Sequence, residues 1–198
     1  EAAANSLGWI GDAAATPTLV HALSDPNISV RKAAAVALGR IGDAAAVPAL
    51  IEALADSAVR HDAAWALGKI GDAEAVPPLI QALSISDSYV RTAATEALGE
   101  FGAIGDAASV PALVKALSAT SSYARKVAAE VLGKIRRTAA VPALLQALSD
   151  SDSGVRKAAA LALGEIGDAA AVPGLLQTLS DSDSSVRWAA VLALDKQI

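Results

Sequence analysis

The sequence predicts an all-α protein, an α-solenoid in which helix-turn-helix repeats of about 31 residues stack into a right-handed superhelix. Three markers share one period along the chain: an Ala-Leu-Gly tripeptide or a variant of it, a Val-Arg or Ala-Arg pair, and a proline. We expect a single domain over residues 1–198, with about six repeats, a truncated first helix and a half repeat at the C-terminus. The markers are Gly8, Gly39, Gly68, Gly99, Gly133 and Gly164; Arg31, Arg60, Arg91, Arg125, Arg156 and Arg187; and Pro17, Pro48, Pro77, Pro111, Pro142 and Pro173.

The first helix of each repeat, the arginine helix, carries apolar residues at the spacing of one buried face. Val30, Ala34, Leu38 and Ile41 follow one another at intervals of four, four and three residues. Gly39 and its equivalents, followed by Ile-Gly-Asp or a variant, predict the end of the helix and a tight turn. A residue suited to the N-cap stands four positions before each repeated arginine: Asn27, Asp56, Asp87, Ser121, Asp152 and Asp183.

The second helix, the proline helix, is shorter. In residues 47–54, Pro48 falls in the first turn, where its missing amide is least harmful. Two repeats depart from the common length: two residues are missing between positions 54 and 60, and three are added between 99 and 106. We expect both changes in connections, where they cost least, and a locally irregular stack at these points.

The amino-acid composition excludes several classes to which this protein could otherwise belong. Hydrophobic residues make up 54% of the chain and aromatic residues 3%, so alanine and aliphatic side chains must form the core. The charge-free stretches are too short for a membrane span, and a net charge of −5 argues against a general nucleic-acid binder. The absence of Cys excludes disulfides and Cys-ligated zinc and leaves the redox compartment open. No signal or transit peptide is visible, and we expect a soluble, cytoplasmic protein.

The repeat is most complete in residues 152–175. They read Asp-x-x-Val-Arg-x-x-Ala-Ala-x-Ala-Leu-Gly-x-Ile-Gly-Asp-x-x-Ala-Val-Pro-x-Leu. This pattern resembles the HEAT-like repeat family, in the short form known from phycobilisome lyases, and it is similar to the artificial α-helicoidal binding proteins built on a consensus of this repeat. The resemblance implies the solenoid but no particular function, because HEAT-like arrays include binders, lyase subunits and enzymes.

The repeated arginines have two interpretations. They could form an anion-binding stripe, but in most repeats the arginine precedes the Asp of a Gly-Asp turn by twelve residues, as Arg31 precedes Asp43. We favour a structural ladder of charge-assisted hydrogen bonds between these residues. Arg136-Arg137 replaces Gly-Asp in one repeat, which either loses a rung of the ladder or gains an exposed basic spot.

The arginine helices differ most at positions one, five and nine after the repeated arginine, which lie on one side of a helix. We call this side the variable face and include Tyr89 and Tyr123 beside it. Its residues from the second repeat onward are Lys32, Val36, Arg40; His61, Trp65, Lys69; Thr92, Glu96, Glu100; Lys126, Glu130, Lys134; Lys157, Leu161, Glu165; and Trp188, Leu192, Lys196. Trp9 holds the ninth position of the truncated first repeat.

Every Trp and Tyr lies on or beside the variable face, whereas Phe101 replaces a framework Ile. Exposed aromatic side chains among charges are typical of recognition surfaces. The alternative is that the rings cover gaps between alanine-rich helices. By resemblance to the artificial binders, the face lines the concave side. The predicted partner-binding residues are Trp9, Lys32, Val36, Arg40, His61, Trp65, Lys69, Tyr89, Glu96, Glu100, Tyr123, Lys126, Glu130, Leu161, Trp188 and Leu192.

The sequence shows no catalytic constellation. His21 and His61 lack a second ligand at metal-binding spacing, so we predict no catalytic, cofactor-binding or metal-ligating residue. Aspartate pairs such as Asp150 with Asp152 could suggest calcium, but they fit helix capping better.

These observations favour a non-catalytic scaffold that binds a protein or peptide, with no cofactor and no nucleic-acid or membrane partner. Two alternatives stay open: a bilin lyase or isomerase subunit, by resemblance to the phycobilisome group, and a fragment of a longer structural array. The apolar faces of the first and last arginine helices also predict end-to-end self-association.

Overall fold

The computed structural model describes residues 2–196, and every regular element in that range is helical. The odd-numbered helices below are the arginine helices and the even-numbered ones are the proline helices, so the predicted all-α repeat fold is confirmed. Over these residues the helices are α1 (Ala2–Ile10), α2 (Thr16–Ala22), α3 (Ile28–Ile41), α4 (Val47–Ala53), α5 (Arg60–Ile70), α6 (Val76–Ala82), α7 (Ser88–Ile104), α8 (Val110–Ala116), α9 (Ser122–Ile135), α10 (Val141–Ala147), α11 (Ser153–Ile166), α12 (Val172–Thr178) and α13 (Ser184–Asp195).

The chain divides into two compact units, residues 1–100 and 101–198, and the division falls within α7. In the first unit α1, α3 and α5 pack in succession, and α2 and α4 each pack on the arginine helix that follows. In the second unit α9, α11 and α13 pack in the same way, with α8, α10 and α12 against the arginine helix that follows each of them. The single domain expected over all 198 residues stays a prediction.

Each unit has a core of alanine and leucine side chains. Every proline helix contributes one fully buried leucine, such as Leu50 of α4, and every arginine helix from α3 to α11 contributes another, such as Leu38 of α3. Phe101 is also fully buried, which confirms its assignment to the framework. None of the described helices is long and apolar enough to cross a membrane.

The first glycine of each repeat does not end its helix, so that prediction was wrong. Gly39 lies buried within α3, and a Cβ atom placed there would lie 2.7 Å from the Cα atom of Ala66 on α5. The same contact joins Gly8 to Ala37, Gly68 to Ala97, Gly133 to Ala162 and Gly164 to Ala193, at 2.5 to 2.8 Å. These glycines are needed because successive arginine helices approach too closely for a larger residue.

The helix stop is the second glycine, one turn later. Gly42 ends α3 with a left-handed φ of 75°, and its amide donates a hydrogen bond to the Leu38 carbonyl. Asp43 then caps a short 3-10 helix, residues 44–46, by accepting a hydrogen bond from the Ala45 amide at 3.0 Å. Gly11, Gly71, Gly105 and Gly167 repeat this geometry.

The predicted N-caps of the arginine helices are confirmed except at the shortened repeat. Asn27, Ser121, Asp152 and Asp183 each accept a hydrogen bond from an amide of the first turn. Asp56 instead accepts the Ala58 amide at 2.9 Å within the turn, and α5 begins only at Arg60. The missing residues therefore shorten the helix and not the connection, because α5 has 11 residues against 14 in α3, while six residues separate α4 from α5 and five separate α2 from α3.

The three residues added between positions 99 and 106 change a helix as well, because they lengthen α7, although the sequence predicted a longer connection. Helix α7 has 17 residues, whereas α3, α9 and α11 have 14. The reason is that the left-handed Gly105 and the capping Asp106 stand one turn further along the chain. In the second unit Gly102 then faces the Lys134 side chain, and a Cβ atom added at Gly102 would lie 2.9 Å from the Lys134 Cβ atom.

Candidate binding face

The repeated arginines have a structural role, as the sequence predicted. Arg125 and Arg156 each donate hydrogen bonds from Nη1 to two carbonyls five and six residues earlier, in the connection that follows the preceding proline helix. Arg31, Arg91 and Arg187 do the same, and Arg60 binds the Leu54 and Ala55 carbonyls. These bonds satisfy carbonyls of the connections, which lie outside both helices of the repeat.

The acidic partners in the ladder differ from those predicted. Arg125 makes two parallel bonds of 2.7 Å to Asp150, and Arg156 bonds Asp181 at 2.7 and 2.9 Å. Both aspartates stand before the next arginine helix, and the aspartates of the Gly-Asp turns cap 3-10 helices instead. In the first unit Arg31 pairs in the same way with Asp56 at 3.0 Å. Proximity in the folded chain, and not the twelve-residue spacing in the sequence, determines which aspartate each repeated arginine contacts.

These ion pairs shift the acidity of the aspartates. Hydrogen bonds from Arg125 hold the pKa of Asp150 below its ordinary value of 3.8, and those from Arg156 do the same for the pKa of Asp181. The side chains of Arg156 and Asp181 are 14% and 11% exposed, so the pair is largely shielded from water. Asp150 and Asp181 therefore join neighbouring repeats, whereas only the second aspartate of each pair caps a helix.

The Arg136-Arg137 repeat keeps its ladder rung and loses a cap. Arg136 takes the place of the left-handed glycine at φ 55°, and Arg137 makes no capping side-chain bond to the 3-10 helix that follows. Both residues are exposed, so the surface does gain a basic spot. The Arg136 guanidinium pairs with Glu165, to which Lys196 also donates a hydrogen bond.

Every predicted partner-binding residue lies within the described range, and none is fully buried. In the first unit the structure brings Trp9 and Arg40 together, because the Arg40 guanidinium carbon lies 4.4 Å from the centre of the Trp9 ring. The Trp9 side chain is 76% exposed all the same. The exposed residues of the set are Trp9, Lys32, Arg40, His61, Lys69, Tyr89, Glu96, Tyr123, Glu130 and Trp188, and the half-buried ones are Val36, Trp65, Glu100, Lys126, Leu161 and Leu192.

Trp65 differs from the other tryptophans because its ring packs on a neighbouring helix. A Cβ atom placed at Gly39 would lie 2.8 Å from Trp65 Cζ3, so the ring covers the backbone of α3. On its other side Trp65 lines a cleft with Lys69, Glu96 and Glu100. Lys69 Nζ and Glu100 Oε1 are 2.9 Å apart in this cleft. Trp65 thus fills a gap between helices and still presents part of its ring to the cleft.

A larger groove crosses the variable face of the second unit. It has a volume of about 420 Å³, and its floor includes Ala158 and Leu161 of α11. Lys126 and Glu130 of α9 line it with their charged groups 3.8 Å apart, and Lys157 lines it from α11. The sequence analysis did not include the small residues that also line the groove, Ser153, Gly154 and Ser185, because they carry neither an aromatic ring nor a charge, although Gly154 and Ser185 hold the same repeat position as Tyr89 and Tyr123.

The remaining predicted residues lie outside these two depressions. Tyr89 is 76% exposed in the first turn of α7, and Trp188 is 57% exposed on α13 beside the half-buried Leu192. Glu165, on the variable face of the second unit, accepts hydrogen bonds from Lys196 and Arg136. The hydrogen bond from Lys196, with further help from Arg136, lowers the pKa of this carboxyl.

The proline helices present a different surface. Their exposed residues include Glu52, Gln81, Lys115, Gln146 and Gln177, without an aromatic side chain. Lys115 and Gln146 line the groove between α8 and α10, and Gln177 lines the groove between α10 and α12, each together with Leu, Ser and Asp residues. Within the described residues no three His, Asp or Glu side chains come close enough together to hold a metal ion.

The protein-family model for HEAT repeats matches this sequence at residues 1–58, 47–121 and 110–195. The chain belongs to the HEAT-repeat family. The comparison with curated proteins gave no match. Among solved structures, the HEAT-repeat chain is similar to an engineered protein at 29% identity, with a TM-score of 0.54 and coverage of 92% of this chain and 96% of the other.

Two further structures place the HEAT-repeat chain among natural and designed solenoids. Human deoxyhypusine hydroxylase in complex with glycerol is 25% identical, with a TM-score of 0.50 and coverage of 98% of this chain and 88% of the hydroxylase. A designed armadillo repeat protein in complex with the peptide (KR)4 is 21% identical, with a TM-score of 0.56 and coverage of 92% and 99%. The armadillo likeness shows the fold alone.

Proposed function

We propose that the chain is a non-catalytic binding protein that holds a protein or peptide on the variable face of its arginine helices. The observation that carries this proposal is the contrast between the two helix types. Exposed Trp and Tyr rings stand on the arginine helices among Lys, Arg and Glu, while the proline helices expose no Trp, Tyr or Phe, and their exposed residues are mainly proline and glutamine with Leu176 as the one large apolar side chain. Trp and Tyr offer a large apolar contact area for little conformational entropy, which is why they dominate binding hot spots.

The framework supports this division of roles. The repeated arginines, the close glycine contacts and the capping aspartates account for the fold, and they use none of the exposed aromatic residues. A binding face built on helices that are fixed in this way loses little freedom when a partner binds. The fold of the designed armadillo protein accommodates the peptide (KR)4, so this architecture is compatible with a peptide partner.

The proposal can be tested with peptides selected from a displayed random library on the wild-type chain. One variant removes the three most exposed rings, Trp9→Ala, Tyr89→Ala and Trp188→Ala. The matched control is the proline-helix variant Gln81→Ala, Gln146→Ala and Gln177→Ala. Circular dichroism melting establishes that both variants are folded, and titration calorimetry measures binding of the selected peptides.

We expect the aromatic variant to lose at least about 2 kcal/mol of binding free energy, and the glutamine variant to bind as the wild type does. If the selected peptides bind the aromatic variant with wild-type affinity and do not bind the glutamine variant, the binding site lies on the proline helices and the proposal is wrong. A shift of visible absorption on mixing the chain with a bilin would instead support the lyase alternative.

A further inference from the structure

The second unit carries more basic charge than the chain as a whole. Residues 101–198 contain ten Lys or Arg and nine Asp or Glu, whereas residues 1–100 contain six and twelve. On the variable face of the second unit, four lysines accompany two glutamates, and Arg136 adds a fifth basic side chain at its edge. The variable face of this unit is therefore basic, although the unit as a whole is nearly neutral and the chain has a net charge of −5.

We propose that the groove across α9, α11 and α13 binds an extended acidic peptide. The proposal rests on the proposed function and names the class of partner. The peptide's carboxylates would pair with Lys126 and Lys157, and its apolar side chains would pack on Leu161 in the groove and on Leu192 and Trp188 of α13 beside it. Charge of opposite sign and an apolar floor are the complement of such a peptide.

The charged groups around the groove differ in the contacts that they already make. Glu130 stands 3.8 Å from Lys126, so Lys126 would exchange this contact for a carboxylate of the peptide, and Asp152 accepts the Val155 amide at 3.1 Å as a helix cap. Asp183 accepts hydrogen bonds from Ser185 Oγ and from the Ser185 amide, both at 2.7 Å. Lys157, in contrast, makes no ion pair among the described residues, so its charge is available to a ligand.

The side chains form rows across the three helices. Lys126, Lys157 and Trp188 all follow the repeated arginine directly, so each lies at the same height on its helix. Packed helices lie about 8–10 Å apart, which an extended chain covers in about two or three residues at ~3.3 Å each. Acidic residues of the peptide that are two or three positions apart can thus reach Lys126 and Lys157. An apolar residue of the peptide two or three positions further along can contact Trp188.

The groove is held in shape before a ligand arrives. The Arg125–Asp150 and Arg156–Asp181 pairs connect the three repeats, and the Gly133–Ala162 and Gly164–Ala193 contacts fix the spacing of the helices. A preformed groove favours a short peptide, because little conformational entropy is lost on the protein side.

The experiment uses the full chain and three fluorescein-labelled peptides that share leucines at the same positions. In the acidic peptide, Asp and Glu occupy the other positions; in the second peptide Asn and Gln replace them, and in the third Lys replaces them. Affinity is measured by fluorescence anisotropy at low and high NaCl. The test variant is Lys126→Glu with Lys157→Glu, and the control of equal charge change is Lys115→Glu with Arg137→Glu, neither of which lines the groove.

We expect the acidic peptide to bind at least about tenfold more tightly than the Asn/Gln peptide, and to lose about tenfold in affinity on the test variant and at high salt. The control variant should change affinity by less than about threefold.

Equal losses of affinity on both variants would show that only the net charge of the chain matters, and they would overturn the proposal. Binding of the Asn/Gln or Lys peptide as tight as that of the acidic one would also overturn it, and the proposed function would stand if Leu161→Glu then abolished that binding. If none of the three peptides binds, the acidic-peptide site is wrong, and the library selection still tests the proposed function independently.

Discussion

At the scale of single residues, the same position in the repeat has different surroundings in different repeats. Trp65 packs over Gly39 and is half-buried, whereas Trp188 is 57% exposed, although both were expected to be exposed on the variable face. Arg136 occupies a left-handed position that glycine fills in the other repeats. Two residue-scale predictions follow from these differences.

The stability of the tryptophan variants should reflect the different burial of the rings. Trp65→Ala removes a ring that covers α3, and we expect a loss of about 1–2 kcal/mol in unfolding free energy, less than the ~3–5 kcal/mol typical of a fully buried ring. Trp188→Ala should cost less than about 0.5 kcal/mol. Urea denaturation of both variants measures the difference. Equal losses would mean that Trp65 makes no structural contact.

Arg136 is the one described residue other than glycine with a positive φ, and replacing it should stabilise the fold. We expect Arg136→Gly to raise the unfolding free energy by about 1 kcal/mol, because glycine adopts this conformation without steric cost. The exposed pair with Glu165 offsets only a few tenths of a kcal/mol. The reverse change at an equivalent site, Gly167→Ala, should be destabilising. Thermal melting compares the two, and a lower melting temperature for Arg136→Gly would contradict the argument.

At the scale of helices, packing depends on close contacts and on ion pairs between repeats. Small residues let the arginine helices approach, and the aspartates before α11 and α13 receive the guanidinium groups of the preceding repeat. Both features join helices that are far apart in sequence. Each can be removed by a single substitution.

The glycine contact can be tested by a double-mutant cycle. Gly133→Ala places a methyl group about 2.8 Å from the Ala162 Cα atom, and we expect it to destabilise the fold by about 1–3 kcal/mol through overpacking. Ala162→Gly removes the methyl group on the facing helix, so the double variant should recover part of that loss. Chemical denaturation gives all four free energies. Additive effects would show that the two residues do not press on each other.

The Arg156–Asp181 pair should make stability depend on pH. The pKa of Asp181 is lower in the folded chain than its ordinary value of 3.8, so its contribution is complete above that value and is lost as pH falls through the folded pKa. Asp183, whose pKa is lowered to about 2 by hydrogen bonds from Ser185, extends the decline to lower pH. Asp181→Asn should cost about 1 kcal/mol at pH 7 and flatten the decline below pH 3.8.

Denaturation midpoints of Asp181→Asn and the wild type between pH 2 and pH 7 measure this effect. Glu52→Gln, on the exposed surface of α4, is the control and should keep the wild-type stability at pH 7. A parallel pair of curves for Asp181→Asn and the wild type would exclude the proposed linkage.

At the scale of the whole molecule, α13 leaves an apolar edge in contact with solvent. Val191 is 55% exposed, although the equivalent alanines, Ala129 and Ala160, are fully buried under the next arginine helix. Asp195 stands where α9 and α11 have the contact glycines Gly133 and Gly164. The apolar edge favours association with another copy, and the aspartate opposes the closest approach of a further helix.

We therefore expect concentration-dependent self-association that is weak in the wild type and strengthened by Asp195→Gly. Removing the carboxylate and the Cβ atom lets a second copy approach as successive arginine helices do. Asp195→Ala keeps the Cβ atom and should have a smaller effect. Sedimentation velocity over a range of concentrations distinguishes the three proteins, and a monomer for all of them would contradict the prediction.

Local signals in the sequence determined much of this protein. The period of the Gly, Arg and Pro markers predicted the helix-turn-helix repeat, and prolines, caps and apolar spacing predicted the individual helices, because each of these depends on residues within one or two turns. The positions that vary between repeats identified the candidate binding face for the same reason. The residue types on that face also predicted its mixture of aromatic and charged groups.

Only the tertiary structure decided which distant residues meet. It showed that Gly39 is a contact residue and Gly42 the helix stop, that Arg125 pairs with Asp150, and that Trp65 packs against a neighbouring helix. The sequence could not decide these points, because both glycines suit a helix end and several aspartates stand at a regular distance from each arginine. The choice among them depends on how closely successive helices approach, which is set by packing between repeats and not by the local sequence.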